Sequence, residues 1–285
     1  MDGIERDKHE QNRESWNAVT PFHNRHKGDQ AAFFRSGGST LFPEELEMLG
    51  DLSGKRVLHL QCNCGQDTLS LAALGAEVVG VDISDAAIAF ATQLASDSGL
   101  PATFVRSDVY DWFDTNEETF DVVFASYGVI GWLSNLTKWA EGIAAALRPE
   151  GAFVMMEFHS LAFCFDEQLK LVEPYSTGGD DLPNEDGIRD YVQNSMLADL
   201  APGAKRDPAP FKNPHPYFGF HWGVGDTATA ILHAGLQLES LQEFQYSNGC
   251  RVNRNCVDVG KRRYALPDHL PSFPMMFAVK ASKPL

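Results

Sequence analysis

From Arg56 to Gly151, short apolar runs alternate with segments of helical length, and this alternation confines the chain to a narrow set of folds. "RVLHL", "AEVVGVD", "ATFVRSD", "FDVVFASY" and "AFVMMEF" read as strands. Between them lie "DTLSLAALG", "SDAAIAFATQLASDSG" and "LTKWAEGIAAALRPEG", which read as helices; the second has Ser84 or Asp85 as N-cap and Gly99 past its end, and the third stops at Pro149 and Gly151. Strands apolar throughout and separated by helices indicate a parallel sheet covered on both faces. The expected architecture is doubly wound α/β, which places any ligand at the carboxyl ends of the strands.

Two regions depart from this rhythm. Residues 1–55 read as an N-terminal helical cap, clearest in "RESWNAVTPFHNRH" and "PEELEMLGDL". Residues 160–222 are rich in Pro, Gly and Asp, and a segment of that length inside a compact fold is either disordered or a functional cover. Its aromatics, Tyr217 and Trp222 among them, favour a substrate cover. The expected division is therefore cap 1–55, core 56–159, inserted cover 160–222, and a C-terminal part of the core sheet at 223–285.

With 44% hydrophobic and 11% aromatic residues, the chain is expected to be globular and soluble, and no apolar run approaches the roughly 20 residues of a membrane span. The charged start "MDGIERDKHEQNRESW" carries no apolar secretory core, so a cytoplasmic location is expected. Five cysteines fit reduced thiols there, and Cys62-x-Cys64 has no second ligand pair for a metal. The net charge of −16, with scattered basic residues, disfavours nucleic acid and anionic membranes as partners. Oligomeric state is left open.

The strand ends carry the chemistry. The first runs into Gln61-Cys62-Asn63-Cys64-Gly65, the second ends in Asp82, the third in Ser107-Asp108, the fourth in Ser126-Tyr127-Gly128, and the fifth in Glu157-Phe158-His159. Asp82 follows Gly65 at close to the ~20-residue spacing at which an acid meets ribose hydroxyls. Alone, Asp82 or Asp108 suits a helix cap equally; together, on successive strand ends, they favour a nucleoside. A pyrophosphate dinucleotide wants G-x-G-x-x-G, whereas Gln61, Asn63 and Gln66 hold the corresponding places, so NAD and FAD are poorly supported.

These segments, with "VRSDVYDW" and a late "AGLQLESLQEF", closely resemble the class I S-adenosylmethionine-dependent methyltransferases, in particular a bacterial small-molecule branch whose first strand ends in a His-Leu-Gln-Cys type sequence. The resemblance is strong over about residues 54–159 and moderate over 222–283. It implies a Rossmann-like, mostly parallel sheet with an antiparallel C-terminal strand, S-adenosylmethionine as cofactor, and methyl transfer to a small molecule. By position it implies that Gly65 and its neighbours Gln61 to Asp67 pass under the methionine part, Asp82 holds the ribose and Asp108 reads the adenine amino group. Ile83 and Val109 would flank the ring, the Ser126 backbone would lie near the methionine ammonium, and Trp16 or Phe22 would close over the cofactor. The family often has an acid on strand one where this chain has His59.

Methyl transfer asks mainly for an in-line nucleophile, needs no metal, and is helped by a base. His159 at a strand end and His221 at the edge of the cover are the candidate bases, with Glu157 receiving substrate or orienting His159. Tyr127 and Trp132 are candidates to pack on substrate or sulfonium. Two other readings stand beside this one: a catalytically silent cofactor- or partner-binding module, motivated by the missing loop glycines, and a nicotinamide oxidoreductase, motivated by the Asp82 spacing alone.

Overall fold

The computed structural model describes residues 3–195, 198, 200–206 and 209–285, so part of the expected cover lies outside the described residues. Three helices come first, α1 (Arg6–Arg25), α2 (Gln30–Arg35) and α3 (Pro43–Leu49). The alternating core follows as β1 (Arg56–Leu60), α4 (Gln66–Ala73), β2 (Glu77–Asp82), α5 (Asp85–Ser98), β3 (Thr103–Arg106), α6 (Val109–Thr115), β4 (Phe120–Ser126), α7 (Leu136–Ala146) and β5 (Leu147–Phe158). Then come α8 (Ser160–Phe163), β6 (Asp181–Asn184), β7 (Tyr217–Phe220), α9 (Val224–His233) and β8 (Gln237–Phe244). The chain closes with β9 (Tyr246–Asn248), β10 (Val257–Gly260), β11 (Arg263–Ala265) and β12 (Met276–Ser282).

The main sheet has seven strands in the order β3-β2-β1-β4-β5-β12-β8. The first five are parallel, and β12 runs antiparallel to both β5 and β8. This is the expected doubly wound, mostly parallel sheet with an antiparallel C-terminal strand. The strand order reverses between β1 and β4, which opens a crevice at their carboxyl ends.

Successive strand residues point to opposite faces, so each strand feeds two cores. On one face Leu58, Val123, Phe153 and Met155 pack with Trp139 and Ile143 of α7 and Ile231 of α9. On the other, Val57, Phe124, Val154 and Met156 meet Met48 and Leu49 of α3 and Leu71 of α4. Fully burying one such aliphatic side chain contributes about 1.5–3 kcal/mol, which is why these strands carry hardly any polar residue.

Caps set the helix ends as the sequence predicts. Ser84 accepts from the Ala87 amide at 3.1 Å, and Gly99 closes α5 in the left-handed region (φ +73°). One boundary differs: α7 ends at Ala146, before the predicted Pro149 stop, and Leu147 is already strand. The residue before a proline avoids the helical region, and Glu150 donates its amide to the Lys283 carbonyl (2.8 Å), drawing the segment onto β12's continuation.

Helix α1 lies across the carboxyl ends of the sheet. Its Asn17 Oδ1 accepts from the Ser84 hydroxyl (2.7 Å) and the Ala86 amide (3.1 Å), tying it to the start of α5. Its Asn12 side chain exchanges two hydrogen bonds with the Phe218 backbone of β7 (2.9 and 2.7 Å). The cap and the expected cover region are thus joined above the crevice. A separate sheet, β10-β11-β9, flanks it on the other side. Among the described residues, no helix is long and apolar enough to cross a membrane.

Candidate active site

The turn from β1 into α4 keeps a glycine-type backbone without the glycines. Gln61 (φ +49°), Asn63 (φ +48°) and Gly65 (φ +75°) are all left-handed. That conformation costs an ordinary L-residue roughly 1–2 kcal/mol. It is held in place by several bonds. The Asn63 amide donates to Asp82 Oδ2 (2.8 Å), Asn63 Oδ1 accepts from the Cys64 amide (2.8 Å), and Gln61 Nε2 donates to the Val129 carbonyl (3.1 Å). At Gly65 a side chain has no room: a Cβ would stand 2.7 Å from the Phe104 ring and 2.9 Å from Ala91.

Asp82 ends β2 buried, with Oδ1 accepting from the Ser84 amide (2.8 Å) and Oδ2 from Asn63. Burial pushes its carboxyl up to about 6, although both amides oppose the shift. Each oxygen keeps a lone pair for a further donor. Asp108 caps α6 through the Tyr110 amide (2.8 Å) and binds His9 Nδ1 of α1 (2.7 Å); His9 stacks on Tyr110, and its Nε2 is buried with no partner among the described residues.

At the crevice, polar side chains form a chain from Thr68 through His59, Ser126 and Asp67 to Thr40, with links of 2.8, 3.2, 2.8 and 2.6 Å. Because the Ser126 hydroxyl donates to Asp67, His59 Nε2 carries the hydrogen and Nδ1 accepts from Thr68. Burial holds the His59 pKa at about 4, so it is neutral at pH 7. On β1, His59 is thus a neutral strut where the family often has an acid.

Apart from Thr68, these groups line a cavity of about 700 Å³, a common size for a small-molecule site. Of the predicted cofactor residues, Gln61, Asn63, Gln66 and Asp67 reach it from the first loop, Asp82 and Ile83 from the second, Asp108 and Val109 from the third, and Ser126 from the fourth. Trp16, Trp132 and Tyr217 also line it as a ring sequence, with Trp132 5.3 Å from each of the others. Tyr127 lines it too, in a left-handed conformation (φ +44°), with its hydroxyl accepting from Asn248 (2.8 Å) and its ionisation pushed well up by burial.

Several expected residues are placed elsewhere, and each is a correction. Phe22 packs on Phe211 at 4.2 Å, because a helix turns about 100° per residue and position 22 faces away from position 16. Glu157 is buried as a clamp: it accepts from the amides of Gly128, Val129 (2.6 Å), Ile130 (2.9 Å) and Phe158 (2.6 Å). His159 caps α8 through the Leu161 amide (3.2 Å) and donates Nε2–H to Glu243 (2.9 Å), and burial lowers its pKa. His221 binds the Pro174 carbonyl (2.6 Å) outside the cavity lining, and Trp222 donates to the Leu133 carbonyl (2.8 Å), packed against the core. Gly65 lies under the loop and outside the lining.

Other lining residues were not singled out in the sequence. His9 arrives from α1 and Lys27 from the α1–α2 connection, and Phe158, Asn248, Arg251 and Arg262 from the opposite side. Lys27 lies near Cys64 and Asp67, and burial lowers its pKa. Phe158 was findable, since strand alternation turns it opposite to Glu157 and His159. The others depend on contacts distant in sequence.

Fold and strand ends together define an α/β domain with a cavity at the β1–β4 crevice. Residues 58–153, about a third of the chain, match the family model described as a methyltransferase domain. A ubiquinone biosynthesis O-methyltransferase from Rhodopseudomonas palustris is 32% identical over 124 residues, 44% of this chain and 48% of that protein. The chain thus spans about half the length of the curated relatives it matches. In fold it is similar to an S-adenosylmethionine-dependent methyltransferase from Mesorhizobium loti (TM-score 0.54, 20% identity, 87% of this chain and 99% of that one). A second similar fold is a methyltransferase of the same description from Listeria monocytogenes (0.55, 17%, 85% and 97%).

Proposed function

We propose that the protein is an S-adenosylmethionine-dependent methyltransferase acting on a small molecule in the cytosol. The observation that carries this is the pairing of Asp82 with the left-handed Gln61–Gly65 turn at the β1–β4 crevice. A carboxylate there offers two acceptors to a ribose diol, and the turn offers side chains instead of a pyrophosphate cradle. The retained left-handed backbone removes the reason for a silent module. Nothing but spacing speaks for a nicotinamide ligand.

The residues fit the cofactor. Asp82 would take the ribose hydroxyls, Ile83 and Val109 the adenine faces, and Asp108 with His9 its amino edge. Gln61 Oε1 is buried without a partner among the described residues and its side chain lines the same cavity, so it suits the methionine ammonium. Lys27, with no hydrogen-bonded partner among the described residues, suits the carboxylate. When bound, the cofactor supplies a sulfonium methyl already activated for displacement.

The chain's own part is positioning. Reacting atoms held about 3–3.5 Å apart and in line gain most of the available acceleration from orientation. Trp16, Trp132 and Tyr217 exclude water above the cofactor half, and Tyr127 and Phe158 floor the acceptor half. We assign the region 160–222 as the acceptor cover, supported by the cavity-facing Phe163, Ile188, Arg189 and Tyr217. The cytosol is supported by the free thiols of all five cysteines, and exclusion of nucleic acid by the charge of −16.

Incubation with methyl-labelled S-adenosylmethionine and a fractionated small-molecule extract tests the reading. Label is expected in a small-molecule product with wild type and at least tenfold less with Asp82→Ala; no transfer from any fraction contradicts it.

A further inference from the structure

Charge is segregated within the cavity. Of its acidic residues, Asp82 and Asp108 belong to the cofactor half, at the ends of β2 and β3, while Asp67 of α4 lies between the halves, bonded to Ser126 and Thr40. The opposite half has an aromatic floor, with Phe42 6.2 Å from Tyr127 and Tyr127 5.2 Å from Phe158. Two guanidinium groups, Arg251 and Arg262, line that half.

Neither arginine has a carboxylate partner among the described residues, whereas their neighbours do. Arg263 pairs with Glu44 and Arg254 with Glu167. These two cations have rings and backbone as partners instead, the exposed Arg251 lying 5.2 Å from the Tyr264 ring centroid, which is one peculiarity of this edge. The backbone adds a second one. Lys261 (φ +54°) and Arg262 (φ +59°) are both left-handed in the β10–β11 turn, a place where such turns favour Asn and Gly. The strained turn directs Arg262 inward: its guanidinium stacks 4.2 Å from the Phe42 ring centroid and donates to the Thr40 carbonyl (3.1 Å), leaving further N–H groups free. The Gly249 amide donates to the Arg262 carbonyl (2.8 Å), which brings the 249–251 segment, and so Arg251, alongside.

We infer that the methyl acceptor is an aromatic acid, its carboxylate held by Arg262 and Arg251 and its ring laid on Phe42, Tyr127 and Phe158. This rests on the methyltransferase reading and names its substrate class. A guanidinium fork matches a carboxylate in two parallel hydrogen bonds, and the aromatic floor matches a planar ring. The carboxylate acts as an anchor, leaving a ring substituent to face the cofactor half.

The test is calorimetry of 2-, 3- and 4-hydroxybenzoate, and of the three matching hydroxybenzamides, into protein saturated with S-adenosylhomocysteine. At least one benzoate is expected to bind saturably and its amide at least tenfold more weakly. Arg262→Gln should weaken that benzoate tenfold or more and leave the S-adenosylhomocysteine Kd within about twofold; Arg251→Gln should weaken it less, and thermal melting checks that both variants fold. Equal binding of acid and amide, no binding of any benzoate, or a matching loss of S-adenosylhomocysteine affinity in Arg262→Gln overturns the proposal. Failure of S-adenosylhomocysteine to bind, with a benzoate still captured through Arg262, overturns the methyltransferase reading and leaves this subsite standing.

Discussion

Asp82 concentrates the account at the scale of a residue, because burial has raised a carboxyl that the ligand would want ionised. Its ordinary value is 3.8 and its folded value is about 6. The protonated form therefore stabilises the cofactor-free fold, and that contribution is lost as pH rises through about 6. Melting temperatures of cofactor-free wild type should fall from pH 5 to pH 7 relative to Asp82→Asn. Ligand binding should run the other way: ribose hydroxyls favour the ionised carboxylate, so S-adenosylhomocysteine affinity weakens below pH 6, by up to about tenfold per pH unit, since one unit is worth about 1.4 kcal/mol. Titration calorimetry at pH 5 and 7.5 checks this, with the dependence absent in Asp82→Asn. Gly65→Ala meets both a left-handed backbone and the Phe104 ring; the backbone alone predicts a loss of about 1–2 kcal/mol in urea unfolding.

Among the elements, β5 shows what was readable and what was missed. Its apolar run and its place before the cover were legible in "AFVMMEF", and so was the importance of its end. The roles were inverted because alternation turns Glu157 and His159 toward the α7–α9 face and Phe158 toward the cavity. Glu157→Gln should cost about 3 kcal/mol, because an amide N–H set against the Gly128–Ile130 amides leaves buried donors unpaired. Chemical denaturation reads that loss. His159→Ala should change stability while leaving kcat within about threefold, once an acceptor is in hand; a hundredfold fall would restore it as the base. The helix caps at Ser84 and Asp108 were legible for a local reason, since a cap is written within a few residues.

Over the whole molecule, the sheet and the acids of the cofactor half could be read because both follow from local period and strand ends. Of the acceptor floor, only Tyr127 was named from its strand end. Phe42, Asn248, Arg251 and Arg262 meet across β9–β11 and the α2–α3 connection, and nothing in their spacing announces that. Nor did His9, in the charged start of the N-terminal cap, declare itself as a lining residue. Binding at this junction of α1 and core should stabilise the entire chain: at a hundredfold excess over Kd, S-adenosylhomocysteine adds about 2.7 kcal/mol, seen as a rise in Tm. The most direct measurement is a crystal structure with S-adenosylhomocysteine bound. The account predicts the ribose hydroxyls on the Asp82 carboxylate, adenine between Ile83 and Val109, and the sulfur facing the space between Tyr127 and Arg262. A ligand bound away from the β1–β4 crevice, or one whose ribose makes no contact with Asp82, would contradict it.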